Sequence, residues 1–93
     1  MEPIRNPQLH RFELEVEGQI CVVDYREHNG VLTITHTGVP PQLEGRGLAG
    51  KLVRFALDYA REHKLKVASR CSYVDAYLKR HPEYQDLLAS AKP

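Results

Sequence analysis

Cysteine is scarce in this sequence, and its two cysteines, Cys21 and Cys71, do not form a CxxC pair. Structural zinc sites take four cysteine or histidine ligands at short, fixed spacings. The five histidines are scattered along the chain without such a spacing, so we predict no metal site. In a reducing compartment both cysteines are expected to be free thiols.

The sequence also lacks an excess of charge of either sign and any long apolar run. Its 13 basic and 12 acidic side chains are interspersed and give a formal net charge of +1, so attraction to nucleic acid is not predicted. No apolar run approaches the roughly 20 residues needed to cross a bilayer. The N-terminal sequence MEPIRNPQLH lacks the apolar segment of a secretory signal. We therefore expect a cytoplasmic protein that binds neither nucleic acid nor membrane.

The length of 93 residues is that of one small domain. The hydrophobic fraction of 42% and the charged fraction of 27% are ordinary for a folded chain. We predict a single domain over residues 1–93, with flexible ends at residues 1–8 and 89–93. Because so small a domain tends toward marginal stability, a homodimer or a bound cofactor would add stability.

Three segments in the first half of the chain have the composition of β-strands. Arg11–Glu17 alternates strictly between apolar and charged side chains, while Gln19–Arg26 and Val31–Thr37 are rich in β-branched residues. The dipeptides Glu17-Gly18 and Asn29-Gly30 predict tight turns between these strands. The three strands should therefore form an antiparallel meander.

The second half of the chain changes to a helical period after Pro40-Pro41, which cannot continue a strand ladder. The predicted elements are a helix from Leu48 to near His63, a short buried strand over Lys66–Arg70, and a helix over Tyr73–Lys79 capped by Ser72 or Asp75. The first helix is a crossover, which makes the fourth strand parallel to the third. The predicted fold class is α+β, with a mixed, mostly antiparallel sheet and β-β-β-α-β-α order.

The best functional signal is a glycine-rich segment between the third strand and the first helix. Gly45, Gly47 and Gly50 fall within six residues, in a spacing that differs from dinucleotide-binding and P-loop motifs. Glycines let backbone N–H groups approach a ligand, and a helix N-terminus leaves about four N–H groups unpaired. The segment is predicted to bind an anion such as a pyrophosphate. The alternative is a glycine-rich turn that only begins a helix.

The segment Glu44-Gly45-Arg46-Gly47-Leu48-Ala49 resembles the Q/R-x-x-G-x-G/A motif of the GNAT superfamily of N-acetyltransferases. Further along the chain, Cys71-Ser72-Tyr73 and His81-Pro82-Glu83-Tyr84 are similar to segments of the small stand-alone domains of that superfamily. Together the matches extend from Thr35 to about Leu87. The resemblance implies a minimal GNAT fold, without the helices that precede the central strands in larger members.

The resemblance also implies that acetyl-CoA is the ligand. Its pyrophosphate would lie on backbone N–H groups of the glycine-rich segment, and its pantetheine arm would run along the end of the third strand. The cofactor-binding residues implied in this way are Thr37, Val39, Glu44, Gly45, Arg46, Gly47, Leu48, Ala49 and Gly50. The implied acceptor is an amine.

Cys71 is a candidate catalytic residue, because the resemblance places it after the fourth strand and near the thioester. The start of the following helix would lower its thiol pKa, as a nucleophile requires. The alternative is that Cys71 is a small buried hydrophobic residue.

His36 is the second candidate catalytic residue. It ends the third strand, where related enzymes often place a proton acceptor, and its ordinary pKa of about 6.5 suits a general base. The strand alternation puts it on the same face as Leu32 and Ile34. The alternative is a half-buried strand histidine. Tyr73 and Tyr77 are considered as general acids, although aromatic residues at helical spacing usually belong to the core.

These residues support two functions. One is an acetyl-CoA-dependent N-acetyltransferase that acetylates an amine of a small molecule or a peptide, either directly or through an acetylated Cys71. The alternative is a non-catalytic module that binds acetyl-CoA or CoA and serves as a sensor or an interaction domain.

Overall fold

A computed structural model describes residues 2–89 of the chain. The strands are β1 (Ile4–Asn6), β2 (Arg11–Val16), β3 (Gln19–His28), β4 (Val31–Gly38) and β5 (Lys66–Ser69), and the helices are α1 (Leu48–Glu62) and α2 (Ser72–Arg80). Short 3₁₀ helices span Pro41–Leu43 and Pro82–Leu87. None of the helices within this described part combines the length and apolarity needed to cross a bilayer.

The strands form one sheet with the order β1-β2-β3-β4-β5. Neighbours from β1 to β4 pair antiparallel, whereas β4 and β5 pair in parallel. The parallel pair arises because α1 carries the chain from the end of β4 back to the start of β5. The predicted α+β fold with a mixed, mostly antiparallel sheet is confirmed.

Two-residue turns join β2 to β3 and β3 to β4. Glu17 and Gly18 have φ angles of 53° and 76°, and Asn29 and Gly30 have 52° and 77°. Positive φ at both central residues is the mark of a type I′ turn, whose twist matches that of the flanking strands. The two tight turns predicted from these dipeptides are confirmed.

The sequence predicts no strand at β1. Residues 4–6 nevertheless pair with residues 11–13 at the edge of the sheet, and Arg5 donates a hydrogen bond to the Tyr25 hydroxyl at 3.2 Å. At the other end of the chain, Ala89 donates its backbone N–H to the Val67 carbonyl at 2.8 Å. The remainder of the predicted flexible ends, residue 1 and residues 90–93, lies outside the described residues.

The core lies between one face of the sheet and the two helices. Strand alternation sends Phe12, Leu14 and Val23 to this face, where each is at most 1% exposed. Helix α1 covers them with a buried stripe that comprises Leu52, Val53, Ala56, Leu57 and Ala60. Among residues 2–89, the buried strand residues belong to this single core cluster. We call the opposite side of the sheet the helix-free face.

A β-bulge in β4 reverses the face to which its last residues point. Tyr25 lies opposite Ile34 but Asp24 lies opposite His36, so Thr35 is an extra residue in β4. Directly paired residues share a face of the sheet. His36 therefore points with Asp24 to the helix-free face, while Ile34 is fully buried in the core. The prediction that His36 shares a face with Ile34 is wrong.

The C-terminal 3₁₀ helix is fastened to α1. Tyr84 donates its hydroxyl hydrogen to Asp58 at 2.8 Å, and Arg61 donates to Asp86 at 2.8 Å. Burial, together with the hydrogen bond to Asp58, raises the pKa of Tyr84 to about 12. The phenol therefore stays protonated and keeps donating throughout the neutral range.

Candidate functional site

A cavity of about 330 Å³ opens where β4 passes into α1. Its lining comprises Thr37, Val39, Leu43, Glu44, Gly45, Gly47, Leu48, Ala49 and Tyr73. Seven of the nine residues implied to bind the cofactor are in this lining. Leu43 and Tyr73 line it without having been predicted to bind cofactor. Leu43 is fully buried, and it anchors the start of the glycine-rich turn to the core.

The backbone of the turn is suited to an anion. Gly45 and Gly47 have φ angles of 84° and 74°, in the left-handed region that glycine adopts without strain. Gly47 is the N-cap of α1 and offers no capping side chain. The start of α1 therefore presents N–H groups that lack intrahelical partners, at the positive end of a 15-residue helix. A turn of this kind is able to hold a phosphate group.

Arg46 contacts the β2–β3 turn and is not part of the cavity lining. Its guanidinium donates a hydrogen bond to Oε2 of Glu17 at 2.9 Å, and this bond raises the pKa of Arg46. The sequence gives no sign of the pair because its members are 29 positions apart. The contact ties the tip of the glycine-rich turn to the neighbouring hairpin.

Replacing Glu17 with Gln is expected to loosen this tip while the fold persists. The two side chains are 46% and 61% exposed, and exposed ion pairs contribute little to stability. Hydrogen exchange of the amides of residues 45–47 should accelerate by at most about fivefold. Glu15→Gln, on the preceding strand, is the matched control and should leave the rates unchanged. Identical rates in Glu17→Gln and the unsubstituted protein would show that the pair does not restrain the turn.

Gly50 lies where α1 approaches α2. A Cβ atom at this position would lie 3.4 Å from the Tyr73 hydroxyl and 3.6 Å from Cε2 of Tyr77. Gly50 is therefore placed in helix packing beside the cavity. Tyr77 is only 6% exposed, its ring stacks on His81, and burial raises its pKa. Of the two tyrosines considered as acids, it is Tyr73 that reaches the cavity.

Strand β4 continues beyond its pairing with β5. The last parallel pair is Ile34 with Ser69, and the Arg70 N–H donates to the Ile34 carbonyl at 2.8 Å. Beyond this point β4 runs on to Gly38, whereas the other chain turns into α2. The two segments diverge and leave a gap beside the cavity, where the residues of β4 beyond Ile34 have no strand partner in β5. An extended ligand is able to bond to the N–H and C=O groups of a strand edge without a partner.

Cys71 lies across this gap, at the N-cap of α2. Its Sγ is 3.5 Å from Oγ1 of Thr37. The Ser69 hydroxyl donates to the Cys71 carbonyl at 3.1 Å and accepts the Cys71 N–H at 3.3 Å, which fixes the backbone there. The predicted cap by Ser72 or Asp75 is wrong, because Ser72 is already the first helical residue.

The surroundings of Cys71 favour its thiolate form. Burial raises its thiol pKa, but the Thr37 hydroxyl and the backbone N–H groups of Val74 and Tyr73 outweigh burial, so that the pKa lies below its ordinary value. In contrast, burial alone raises the pKa of the Cys21 thiol. The pKa values of the two free thiols are therefore shifted in opposite directions, and Cys71 is the better nucleophile near neutral pH.

Thr37→Val is expected to shift the pH at which Cys71 becomes reactive. Alkylation by iodoacetamide requires the thiolate, so its rate rises as the pH passes the thiol pKa. Because the Thr37 hydroxyl stabilises the thiolate, its removal should move this rise to higher pH. Thr35→Val is the control, since the Thr35 hydroxyl donates to the Asp24 carbonyl instead. Coincident profiles for Thr37→Val and the unsubstituted protein would contradict the role of Thr37.

His36 does not join the cavity. Its imidazole is exposed on the helix-free face, beside Asp24, which accepts a hydrogen bond from Arg11 at 3.1 Å. Thr37, the next residue, points to the opposite face and contacts Cys71. The structure thus brings together Cys71, Thr37, Tyr73 and the glycine-rich turn. It places His36 at the same end of β4 but on the other face of the sheet.

The fold and the site define a class of domain. A mixed sheet carries a glycine-rich turn between its last antiparallel strand and a crossover helix, with a cavity at the turn. A family model described as GCN5-related N-acetyl-transferase matches residues 11–87. The chain therefore belongs to the GCN5-related N-acetyltransferase family.

Individual proteins also resemble the chain. It is 38% identical over 52 residues to protein NATD1 of Gallus gallus and of Homo sapiens, in matches that cover 56% of this chain and 47% and 46% of those proteins. The chain thus spans about half the length of the relatives it matches. The NMR solution structure of a GCN5-like protein from Staphylococcus aureus has a TM-score of 0.75 at 29% identity, with coverage of 98% of this chain and 90% of that one.

Proposed function

We propose that residues 1–93 form one N-acetyltransferase domain that transfers an acetyl group from acetyl-CoA to an amine of a small molecule or a peptide. Family membership supports the reaction class. The observation that carries the proposal is the cavity at the glycine-rich turn, which is lined by Thr37 and Val39 at the end of β4 and lies close to the Cys71 thiol. The cytoplasmic location and the homodimer stay predictions.

The glycine-rich turn is proposed to hold the pyrophosphate of the cofactor. Backbone N–H groups from Gly45 to Gly50 would donate to the phosphate oxygens. The exposed side chain of Glu44 would point away, because its carboxylate repels phosphate, and only its backbone would take part. Thr37 and Val39 line the cavity at the end of β4, where their backbone groups would bond to the pantetheine arm.

Cys71 is proposed to act first in the reaction. Its thiolate attacks the carbonyl carbon of the thioester, the bond between that carbon and the CoA sulfur breaks, and Cys71 carries the acetyl group. Tyr73 lines the same cavity, and its hydroxyl donates a proton to the departing CoA thiolate and regains one from solvent. The lowered pKa of Cys71 supports this role, since it increases the fraction of the thiol that is ionised at a given pH.

His36 is proposed to act in the second step. The acceptor amine attacks the acetyl carbon of Cys71, the amine proton passes to the His36 imidazole, and Cys71 leaves as a thiolate. His36 lies on the helix-free face and Cys71 on the other, so this step requires the amine to reach the acetyl group from the helix-free side. In the direct route, the amine attacks the thioester itself, with His36 or water as the base.

A second function is favoured by one observation. Within residues 2–89, no helix covers the sheet face on which His36 lies, so the acceptor side of the site is open. An open side fits a non-catalytic module that binds CoA and presents this face to another molecule. The function as a sensor or an interaction domain is therefore the competing proposal.

Two measurements on one preparation separate these functions. CoA affinity is measured by titration, and release of free CoA thiol from acetyl-CoA is measured with small aliphatic amines, aromatic amines and lysine-containing peptides. An enzyme binds CoA and releases thiol faster with at least one amine. If CoA binds but no amine raises thiol release above background, the non-catalytic module is favoured. Failure to bind CoA would exclude both functions.

A further inference from the structure

The backbone conformation at Gly38, the last residue of β4, does not require a glycine. Its φ angle is outside the left-handed region, unlike those of Gly45 and Gly47 in the adjoining turn. A residue with a side chain is therefore able to adopt this backbone conformation. The reason for glycine at this position must lie in the space around it.

The space that a side chain would fill at position 38 is occupied by the imidazole of His36. A Cβ atom on Gly38 would lie 3.1 Å from Nε2 and 3.8 Å from Cδ2 of that ring, and 3.4 Å from Cγ2 of Val22. A carbon atom makes its best non-bonded contacts at about 3.5–4.0 Å. The ring thus lies along β4 with Nε2 directed toward residue 38, against the bare backbone.

This orientation brings Nε2 to the end of β4, next to Gly38. The parallel pairing with β5 stops at Ile34, and the cavity lining begins at Thr37 and Val39. Thr37 and Cys71 contact each other on the helix side of the sheet, whereas the imidazole lies on the helix-free face at the same end of β4. If the acceptor amine of the proposed reaction arrives from the helix-free side of the sheet, it passes this imidazole.

From this geometry we infer that Gly38 is a positioning residue, whose missing side chain seats the His36 imidazole for proton transfer from the acceptor amine. The inference rests on the proposed function. Because His36 is exposed, its ring is able to yield to a methyl group at position 38 by moving a few tenths of an ångström toward solvent. Displacing a reacting group by about 1 Å can slow a reaction by about a hundredfold.

Four proteins test the inference: the unsubstituted chain, Gly38→Ala, His36→Ala and the double variant. Acetyl transfer is measured with acetyl-CoA and with the amine that the unsubstituted chain acetylates fastest, and CoA affinity is measured alongside. Gly38→Ala is expected to lower kcat/KM for the amine by about tenfold or more, with an unchanged CoA Kd. NMR signals of the His36 ring should shift in Gly38→Ala. In the His36→Ala background, Gly38→Ala should have no further effect, because there is no ring to displace.

Three results would overturn the inference, and they are distinguishable. Additive losses in the double variant would show that residue 38 acts through the backbone and not through His36. Shifted ring signals with undiminished transfer would show that the ring position is immaterial. CoA binding without transfer by the unsubstituted chain would remove the proposed reaction itself. The double variant also reports whether alanine at position 38 folds when the imidazole is absent.

Discussion

Gly47→Ala is expected to weaken CoA binding at least about tenfold while the domain stays folded. The φ angle of 74° at Gly47 costs an L-residue roughly 1–2 kcal/mol. The chain can relieve this strain only by rotating the turn, which redirects the N–H groups at the start of α1. The added methyl group would also lie where the proposed phosphate approaches the backbone. Both effects lower affinity for the anion.

Gly30→Ala is the matched control for this experiment. Gly30 has a nearly identical φ angle of 77°, and at both positions an added Cβ would meet no atom within 4 Å. The two variants should therefore lose similar stability. Gly30 lies in the β3–β4 hairpin turn, at the opposite end of β4 from the cavity. Only the variant at position 47 is expected to lose CoA affinity.

Amide NMR signals of residues 45–50 supply the measurement. Titration with CoA should shift these signals in the unsubstituted protein and in Gly30→Ala, with similar midpoints. In Gly47→Ala the midpoint should move to higher CoA concentration, and unfolding curves of the two variants should coincide. If the affinities of the two variants are equally reduced, the change reflects general destabilisation, and the turn is not the anion site.

The fold could be predicted from the sequence where local pattern and tertiary environment agree. Alternating Phe12 and Leu14 marked β2, and the Asn29-Gly30 dipeptide marked a turn with two positive φ angles. The helical period from Leu48 marked α1 and thereby the parallel strand that follows it. In each of these cases the burial of one face enforces the period that the sequence displays.

The bulge at Thr35 could not be predicted, because β4 has no apolar residue after it that would indicate which residues face the core. Leu32 and Ile34 are buried, but the residues that follow are Thr35, His36 and Thr37. A polar residue is compatible with either face near a strand end, so continued alternation was the simplest expectation. The single extra residue places His36 on the face opposite to the expected one and so separates it from Cys71.

The site shows the same division between local and distant information. The glycine-rich motif identifies five residues of the cavity lining, and the family resemblance adds Thr37 and Val39 at the end of β4. Tyr73 reaches the cavity only because α2 packs against α1 at Gly50. The contact of Glu17 with Arg46 likewise depends on how the hairpin meets the turn. These contacts depend on how separate elements pack against each other, and this packing cannot be inferred from a single sequence.

The positions of the two cysteines connect the fold to the proposed chemistry. Cys21 is fully buried in β3 and belongs to the hydrophobic core cluster. Cys71 lies at a helix start, 3.5 Å from a hydroxyl, and beside the cavity. A helix start and a donor stabilise negative charge, whereas an apolar core opposes it. The protein therefore contains an internal control for any experiment on its thiols.

Cys71→Ala is expected to abolish formation of an acetylated protein and to slow amine acetylation on the order of a hundredfold or more. Brief mixing with acetyl-CoA, without an amine, should add one acetyl group to the unsubstituted chain, as detected by mass spectrometry. Cys21→Ala should acquire the same group, because the pKa of its Cys71 thiol remains low. Cys71→Ala should acquire none, because the remaining thiol is buried and its pKa is raised.

The kinetics of Cys71→Ala decide between the covalent route and the direct route. If the amine attacks the thioester directly, turnover with a good acceptor survives the loss of the thiol, and an acetylated Cys71 is a side product. If the thiol carries the acetyl group, then the unsubstituted protein should release CoA in a rapid burst before steady turnover. The burst should vanish in Cys71→Ala and persist in Cys21→Ala. Thr37→Val should slow the burst at neutral pH and restore it at higher pH, since it raises the pKa of the thiol without removing it.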